Sequence, residues 1–285
     1  MLVITWNIQW GRGVDGRVDL PRIVAGARAL GDFDVLCLQE VADNYPGLEG
    51  LAAGVDQFAQ LAGLLPAYHA VDGVATERHT PGLGPQRFGN MVFTRLPPVQ
   101  VLRHQLPSPA DPANHSMPRL ALEVVLDAPG GPLRITTTHL EYYSAAQRQA
   151  QVEALRDLQR TAAAHPSPGL PGQEGTPFEP RPRGPRAVLT GDFNCAATDP
   201  AVARLQEPVA GAPRWVDAWT LAHPGQPHPP TLGLHDRAQW KGFTGSFDFL
   251  FVSQDLAGAV RRIEADLQTQ ASDHQPVLLE LDLSR

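Results

Sequence analysis

The chain of 285 residues carries 23 basic and 30 acidic side chains, a formal net charge of −7, and is 42% hydrophobic. That profile belongs to an ordinary soluble globular protein with room for a substantial core. It excludes a helical membrane span, which needs about 18 consecutive apolar residues, and argues against sequence-independent polyanion binding, which needs a basic stripe.

The opening residues, MLVITWNIQW, lack a basic stretch, an apolar core and a small-residue cleavage site. They read as a strand over 2–6 and not as a secretory signal. A cytoplasmic location is therefore expected, with Cys37 and Cys195 as free thiols. A helix follows over 20–30, with Asp19 as N-cap, Leu20, Ile23, Ala27 and Leu30 on one face, and Gly31 past its end. The run 34–39 reads as a strand, and about 55–65 as a helix carrying Val55, Phe58, Leu61 and Leu65 before Pro66. Strands 91–95 and 99–106 are expected to form a hairpin through LPP. Strands 119–126 and 133–138 should do so through DAPGGP. Ser144, with Gln147 completing a capping box, opens a third helix that runs to Pro166. The segment 165–186 holds seven prolines and is expected to be a mobile loop. Because it enters the start of strand 187–191, it should lie roughly 17–20 Å from that strand's far end. Strands 247–252 and 276–282 complete the series. So many strands with few helices predict two packed sheets with helices outside, in one domain over 1–285.

Polar groups recur where these strands stop or start. Asn7, Glu40, His139 and Asp192 close four of them, and Asn194 follows in the TGDFNC stretch. Asp248 opens DFLFV, and Asp273 and His274 precede PVLLEL. Pairing Leu126 with Leu133 sets Arg119 opposite Leu140, beside His139, and the LPP hairpin would bring Asn90 to the same rim. Each group alone has an ordinary explanation as a turn or a solvated strand end. Gathered at one edge they offer carboxylates for a hard cation, donors for phosphate oxygens and two histidines for proton transfer. Metal-assisted phosphoester hydrolysis requires that combination.

TWNIQ, LQE, GNMVFTR, TTHLE, GDFN, FDFLFVS and SDHQPV also occur in the order found in the endonuclease/exonuclease/phosphatase superfamily, which the chain resembles from Asn7 to Val277. That superfamily includes deoxyribonuclease I, exonuclease III, sphingomyelinases and inositol polyphosphate 5-phosphatases. The resemblance implies a four-layered α/β sandwich, two central mixed, mostly antiparallel sheets flanked by helices, with Mg²⁺ or Mn²⁺ at one end. It implies Glu40 as principal metal ligand, with Asn7 beside it and Asp273 at or near the ion. Asp192 would position or deprotonate the attacking water, and Asn194 would hold a phosphate oxygen. His274, oriented by Asp248, would contact the phosphate, and His139 would serve the leaving group. Either Asp192 or His274 can be the general base on this resemblance.

The lysine that abasic-site enzymes carry after Gln-Glu is replaced by Val41, and TTHLE stands where they have a tyrosine motif, which argues against that repair activity. The function expected is a monomeric phosphodiesterase acting on a small or single-stranded substrate, a nucleic acid or nucleotide among them. The alternatives are a phosphomonoesterase, a phospholipid or inositol-phosphate hydrolase, and a binding module that keeps the fold without activity. Trp10 and the QWKGF stretch stand where a base could stack, but packing within the sandwich is the more ordinary role for tryptophan.

Overall fold

The computed structural model describes residues 1–165, 171–181 and 183–284. One six-stranded sheet runs β11 (Val260–Ala265), β12 (Val277–Leu281), β1 (Leu2–Asn7), β2 (Val35–Asp43), β4 (Gly84–Thr94) and β3 (His69–Thr80). The other runs β5 (Pro98–Gln105), β6 (Leu120–Ala128), β7 (Gly131–His139), β8 (Ala187–Asp192), β10 (Asp248–Ser253) and β9 (Trp215–Asp217). Both are mixed: β1 and β2 are parallel, as are β7 and β8, and the other pairs are antiparallel.

Alternation along each strand builds the layers. Val3, Val35, Cys37 and Val92 face Val124, Ile135, Val188 and Leu250 across the space between the sheets. The intervening residues, Ile4, Trp6, Leu36 and Phe93, pack on α1 (Leu20–Leu30) and α2 (Gln57–Leu64) through Ile23, Ala27, Phe58 and Leu61. On the far side Leu189, Phe249 and Phe251 meet α3 (Ala145–Ala164) and α4 (Pro200–Leu205) through Val152, Leu155 and Leu205. Helices, two sheets and helices thus form four layers. Strands covered on both faces have no side to leave polar, which is why β1 and β8 read as continuous apolar runs. The expected caps are present: Asp19 and Ser144 accept from the backbone N–H groups of Arg22 and Gln147. Gln147 does not return the bond to Ser144; its amide donates to the Pro109 carbonyl instead.

Two expectations need correction. Strands β4 and β5 do not form a hairpin through LPP, because β4 is flanked on both edges by β2 and β3. Residues 95–97 instead carry the chain from one sheet to the other. Asn90 therefore lies within β4, paired with Gly73, and not at a strand start. In the proline-rich segment, residues 166–170 and 182 lie outside the described residues. Its far end is anchored: buried Arg183 pairs with Glu123 at 2.7 Å, and Arg134 donates to the carbonyls of Gly184 and Pro185. A buried carboxylate needs such partners, and the His104 ring together with Arg183 and Arg134 holds Glu123 down to about 2 against the penalty of burial.

Candidate active site

Strand period fixes which face each polar group takes. Val3, Thr5 and Asn7 share one face of β1, as do Ile135, Thr137 and His139 on β7. Val188, Thr190 and Asp192 do so on β8, and Asp248, Leu250 and Val252 on β10. These are the faces turned toward the opposite sheet, and the polar member lies at the same end each time. Register completes the alignment, with His139 beside Asp192 and Asp192 opposite Asp248. Beneath them Gln39 donates to the hydroxyls of Thr5 and Thr137 at 3.1 and 2.8 Å, so a polar layer separates the apolar core from the ionisable groups.

Glu40 reaches the same end by a different device. Pairing of β2 with β4 shifts register between Leu38 and Val41, and Glu40 takes φ 62 in that bulge. The left-handed region is costly for a residue with a Cβ, on the order of 1–3 kcal/mol. Gln9 (φ 44), Trp10 (φ 46) and Asn194 (φ 51) share it, and all four line one cleft of about 300 Å³. Strain is concentrated where side chains must be aimed, not where the fold is made.

Asn7 bridges the two sheets. Its amide nitrogen donates to Glu40 Oε1 and to Asp192 Oδ2, both at 3.0 Å, while its oxygen accepts from the Gln9 N–H. Asn7 thus presents its donor side to the carboxylates. Asp192 Oδ1 accepts from the Asn194 N–H at 2.8 Å, and burial raises its pKa.

His274 Nδ1 lies 2.8 Å from Asp248 Oδ2, leaving Nε2 3.6 Å from Asp192. Burial works against a charged ring, but Asp248 and Asp192 outweigh it and hold His274 well above the ordinary histidine range. His139 is the opposite case. Its Nε2 is 3.5 Å from Asp192 and 3.9 Å from Glu40, yet burial, with Arg119 and His274 nearby, lowers its pKa well below the ordinary value. One imidazolium and one neutral imidazole flank the same carboxylate.

Arg119 lines the cleft, buried, with Nε donating to Glu141 Oε2 at 3.2 Å and Nη1 without a partner. Among the described residues it is the only arginine or lysine in the lining. Glu141 escaped sequence reasoning, although the register that put Arg119 opposite Leu140 also put Glu141 within reach. If Arg119 grips phosphate with its free arm, Arg119→Lys should lower kcat/KM about 10–100-fold, because an ammonium cannot hold Glu141 and phosphate in one fork. Mn²⁺ affinity, read by calorimetry, should not change; a fully active but less stable variant would make Arg119 purely structural.

Asp273 faces the cleft, and its Oδ2 accepts from Trp240 Nε1 at 2.9 Å, Gln9 Nε2 at 3.1 Å and Gln239 Nε2 at 3.3 Å. Neither glutamine was foreseen. Nor were Tyr142 and Tyr143, which follow the histidine motif and line the cleft with Trp10, Phe88, Met117 and Trp240. The tryptophans Trp10 and Trp240 thus do more than pack the sandwich, contrary to the ordinary expectation. Asn90 is buried but does not line the cleft.

The donor set suits a hard divalent cation. Burial, with Asp273 beside it, pushes Glu40 up to about 7, so protein groups alone compensate its charge poorly. Carboxylate and carboxamide oxygens are the ligands that Mg²⁺ and Mn²⁺ prefer. Asp192, Asp248 and His274 bring ligand atoms within 4.8 Å of one another, but the short Asp248–His274 bond makes that group a relay. Glu40, which among the described residues accepts only from Asn7, is the freer carboxylate, whereas Asp273 already accepts from Trp240, Gln9 and Gln239.

The sequence model of the Endonuclease/Exonuclease/phosphatase family matches residues 4–170, more than half of the chain. Among solved structures, an endonuclease/exonuclease/phosphatase from Beutenbergia cavernae is 26% identical, with a TM-score of 0.69 over 99% of this chain and 71% of that one. A mannosyl-6-phosphatase from Bacteroides thetaiotaomicron is 17% identical, with a TM-score of 0.66 and 99% of both chains covered. A 3′ phosphatase from Neisseria, bound to a product DNA hairpin, is 20% identical, with a TM-score of 0.63 and 99% of both chains covered. Curated proteins give no match to the chain.

Proposed function

Since the chain belongs to the Endonuclease/Exonuclease/phosphatase family, we propose that it is a metal-dependent phosphodiesterase whose substrate is small or single-stranded. The observation that carries this reading is the ring of groups around Asp192: Asn7, His139 and His274 approach its Oδ2, and the Asn194 N–H holds its Oδ1. Glu40 and Asp273, with Asn7 beside them, would hold a Mg²⁺ or Mn²⁺ ion, which when bound would supply Lewis-acid polarisation of a phosphoryl oxygen. Asp192, made more basic by burial and held in orientation by the donors on its two oxygens, orients the attacking water and accepts its proton. His274, kept protonated by Asp248, presents Nε2 to a non-bridging phosphate oxygen. Arg119 Nη1 and one amide hydrogen of Asn194 hold the other. His139, neutral, sits where its ring donates a hydrogen bond to the leaving oxygen.

Substrate size follows from charge. Duplex DNA is gripped by neutralising many phosphates, and the affinity then falls steeply with salt. Among the described residues Arg119 is the only Arg or Lys in the cleft lining, and two arginines near lining residues are paired, Arg87 with Asp43 and Asp56 and Arg12 with Glu49 and Asp236. Arg237 and Lys241 flank Gln239 and Trp240 in sequence without entering the lining. Turnover of bis(4-nitrophenyl) phosphate and of short single strands should exceed plasmid nicking, with less than about a 3-fold change between 50 and 200 mM salt. The assay panel spans phosphomonoesters, phosphodiesters, and single- and double-stranded DNA and RNA, with each metal. Efficient, salt-sensitive nicking would replace this reading with a duplex nuclease, and preferred turnover of monoesters with a phosphomonoesterase.

A further inference from the structure

We propose that the aromatic wall of the cleft, centred on Tyr142 and Trp240, is a subsite for the heteroaromatic base of a nucleotide ester. The proposal rests on the reading above for the identity of the adjoining phosphate site. Tyr142 is 39% exposed, Tyr143 57% and Phe243 42%, in a fold that buries most of its other large apolar side chains. The rings are arranged among themselves and not into a core. Tyr142 stands perpendicular to Tyr143 with centroids 4.9 Å apart, and at 70° to Trp240 at 6.4 Å. Such a corner offers one ring face for stacking and one edge for a T-shaped contact.

The polar edges of both cleft tryptophans are already occupied. Trp240 Nε1 donates to Asp273 and Trp10 Nε1 to the Glu49 carbonyl, so what remains of each indole is ring surface. By contrast, the phenol hydroxyls of Tyr142 and Tyr143, both in the lining, have no hydrogen-bond partner among the described residues. Ring faces combined with uncommitted donors and acceptors suit a flat ring with a polar edge, which an acyl chain does not provide. A polyphosphorylated ligand would need Arg or Lys side chains beyond Arg119, and among the described residues none lines the cleft. At about 300 Å³ the cleft has room for one nucleotide. Because Trp240 touches both the ring wall and Asp273, a stacked base would bear directly on the carboxylate nearest the proposed ion.

Calorimetry with adenosine 5′-monophosphate and ribose 5-phosphate, in EDTA to prevent turnover, isolates the base. Stacking on aromatic side chains should make the nucleotide bind about 10-fold tighter. In Tyr142→Leu the two ligands should fall within about 2-fold of each other, while Tyr142→Phe should keep the preference, with thermal melts confirming that both variants fold. Equal or undetectable binding of both ligands to the native protein overturns the subsite, as does a preference that survives Tyr142→Leu. Hydrolysis of bis(4-nitrophenyl) phosphate with Mn²⁺ is scored separately. Base preference without hydrolysis keeps the subsite and removes the phosphodiesterase reading; hydrolysis without base preference does the reverse.

Discussion

Glu40→Gln is expected to abolish measurable turnover and to weaken Mn²⁺ binding about 100-fold or more, since even residues that only orient ligands are worth 10–100-fold in affinity. The substitution is selective. Glutamine still offers Asn7 an oxygen at the position of Oε1, so the bridge between the sheets survives and only the charge is removed. Mg²⁺ commonly takes one or two protein carboxylates and keeps several waters, so one lost charge is a large part of the protein's share. The acidity of the native side chain points the same way, because a carboxyl pushed up to about 7 by burial and Asp273 gains most from a nearby cation. Calorimetry giving native affinity in the variant would move the ion elsewhere in the cleft.

His274→Ala should lower kcat by about 10²–10³-fold, the range usual for losing one donor aimed at transition-state charge. Asp248→Ala should cost nearly as much, and the double variant should be little worse than His274→Ala alone. The reason is the 2.8 Å contact: Asp248 fixes the tautomer and holds the ring charged, and without the ring it has nothing to act on. Losses that multiply would show two groups working separately.

The architecture and most of the polar rim were legible because both follow from period. Alternation of two residues along β1, β7, β8 and β10 sends Asn7, His139, Asp192 and Asp248 to the same side, and strand ends align them. Strand β3 was not legible, since HAVDGVATERHT has few large apolar residues and much of it is exposed. Missing it produced the false LPP hairpin and misplaced Asn90. The bulge at Glu40 leaves no compositional mark, though the residue itself stood out at the end of its run. Gln9 and Gln239 meet across 230 residues of chain, from two loops whose approach nothing local encodes. Tyr142 and Tyr143 were visible, but their exposure depends on where α3 begins relative to the cleft.

The place of β1 in its sheet bears on how the chain reaches this state. β1 lies between β2 and β12, and Val3 pairs with Leu279. At the usual 5–20 residues per second, a ribosome makes the partner of Val3 roughly 15 s to a minute after Val3 itself. Through that interval one edge of the apolar run Leu2–Trp6 has no native partner, although β2 is available early on the other side. An open edge of this kind is a template for pairing with other chains. Asn7 and Asp192 become neighbours only when both sheets have docked, so contacts of very long sequence separation gate the final step and slow folding is expected. The nascent protein is most exposed to aggregation before β12 is made, and that hazard originates in β1.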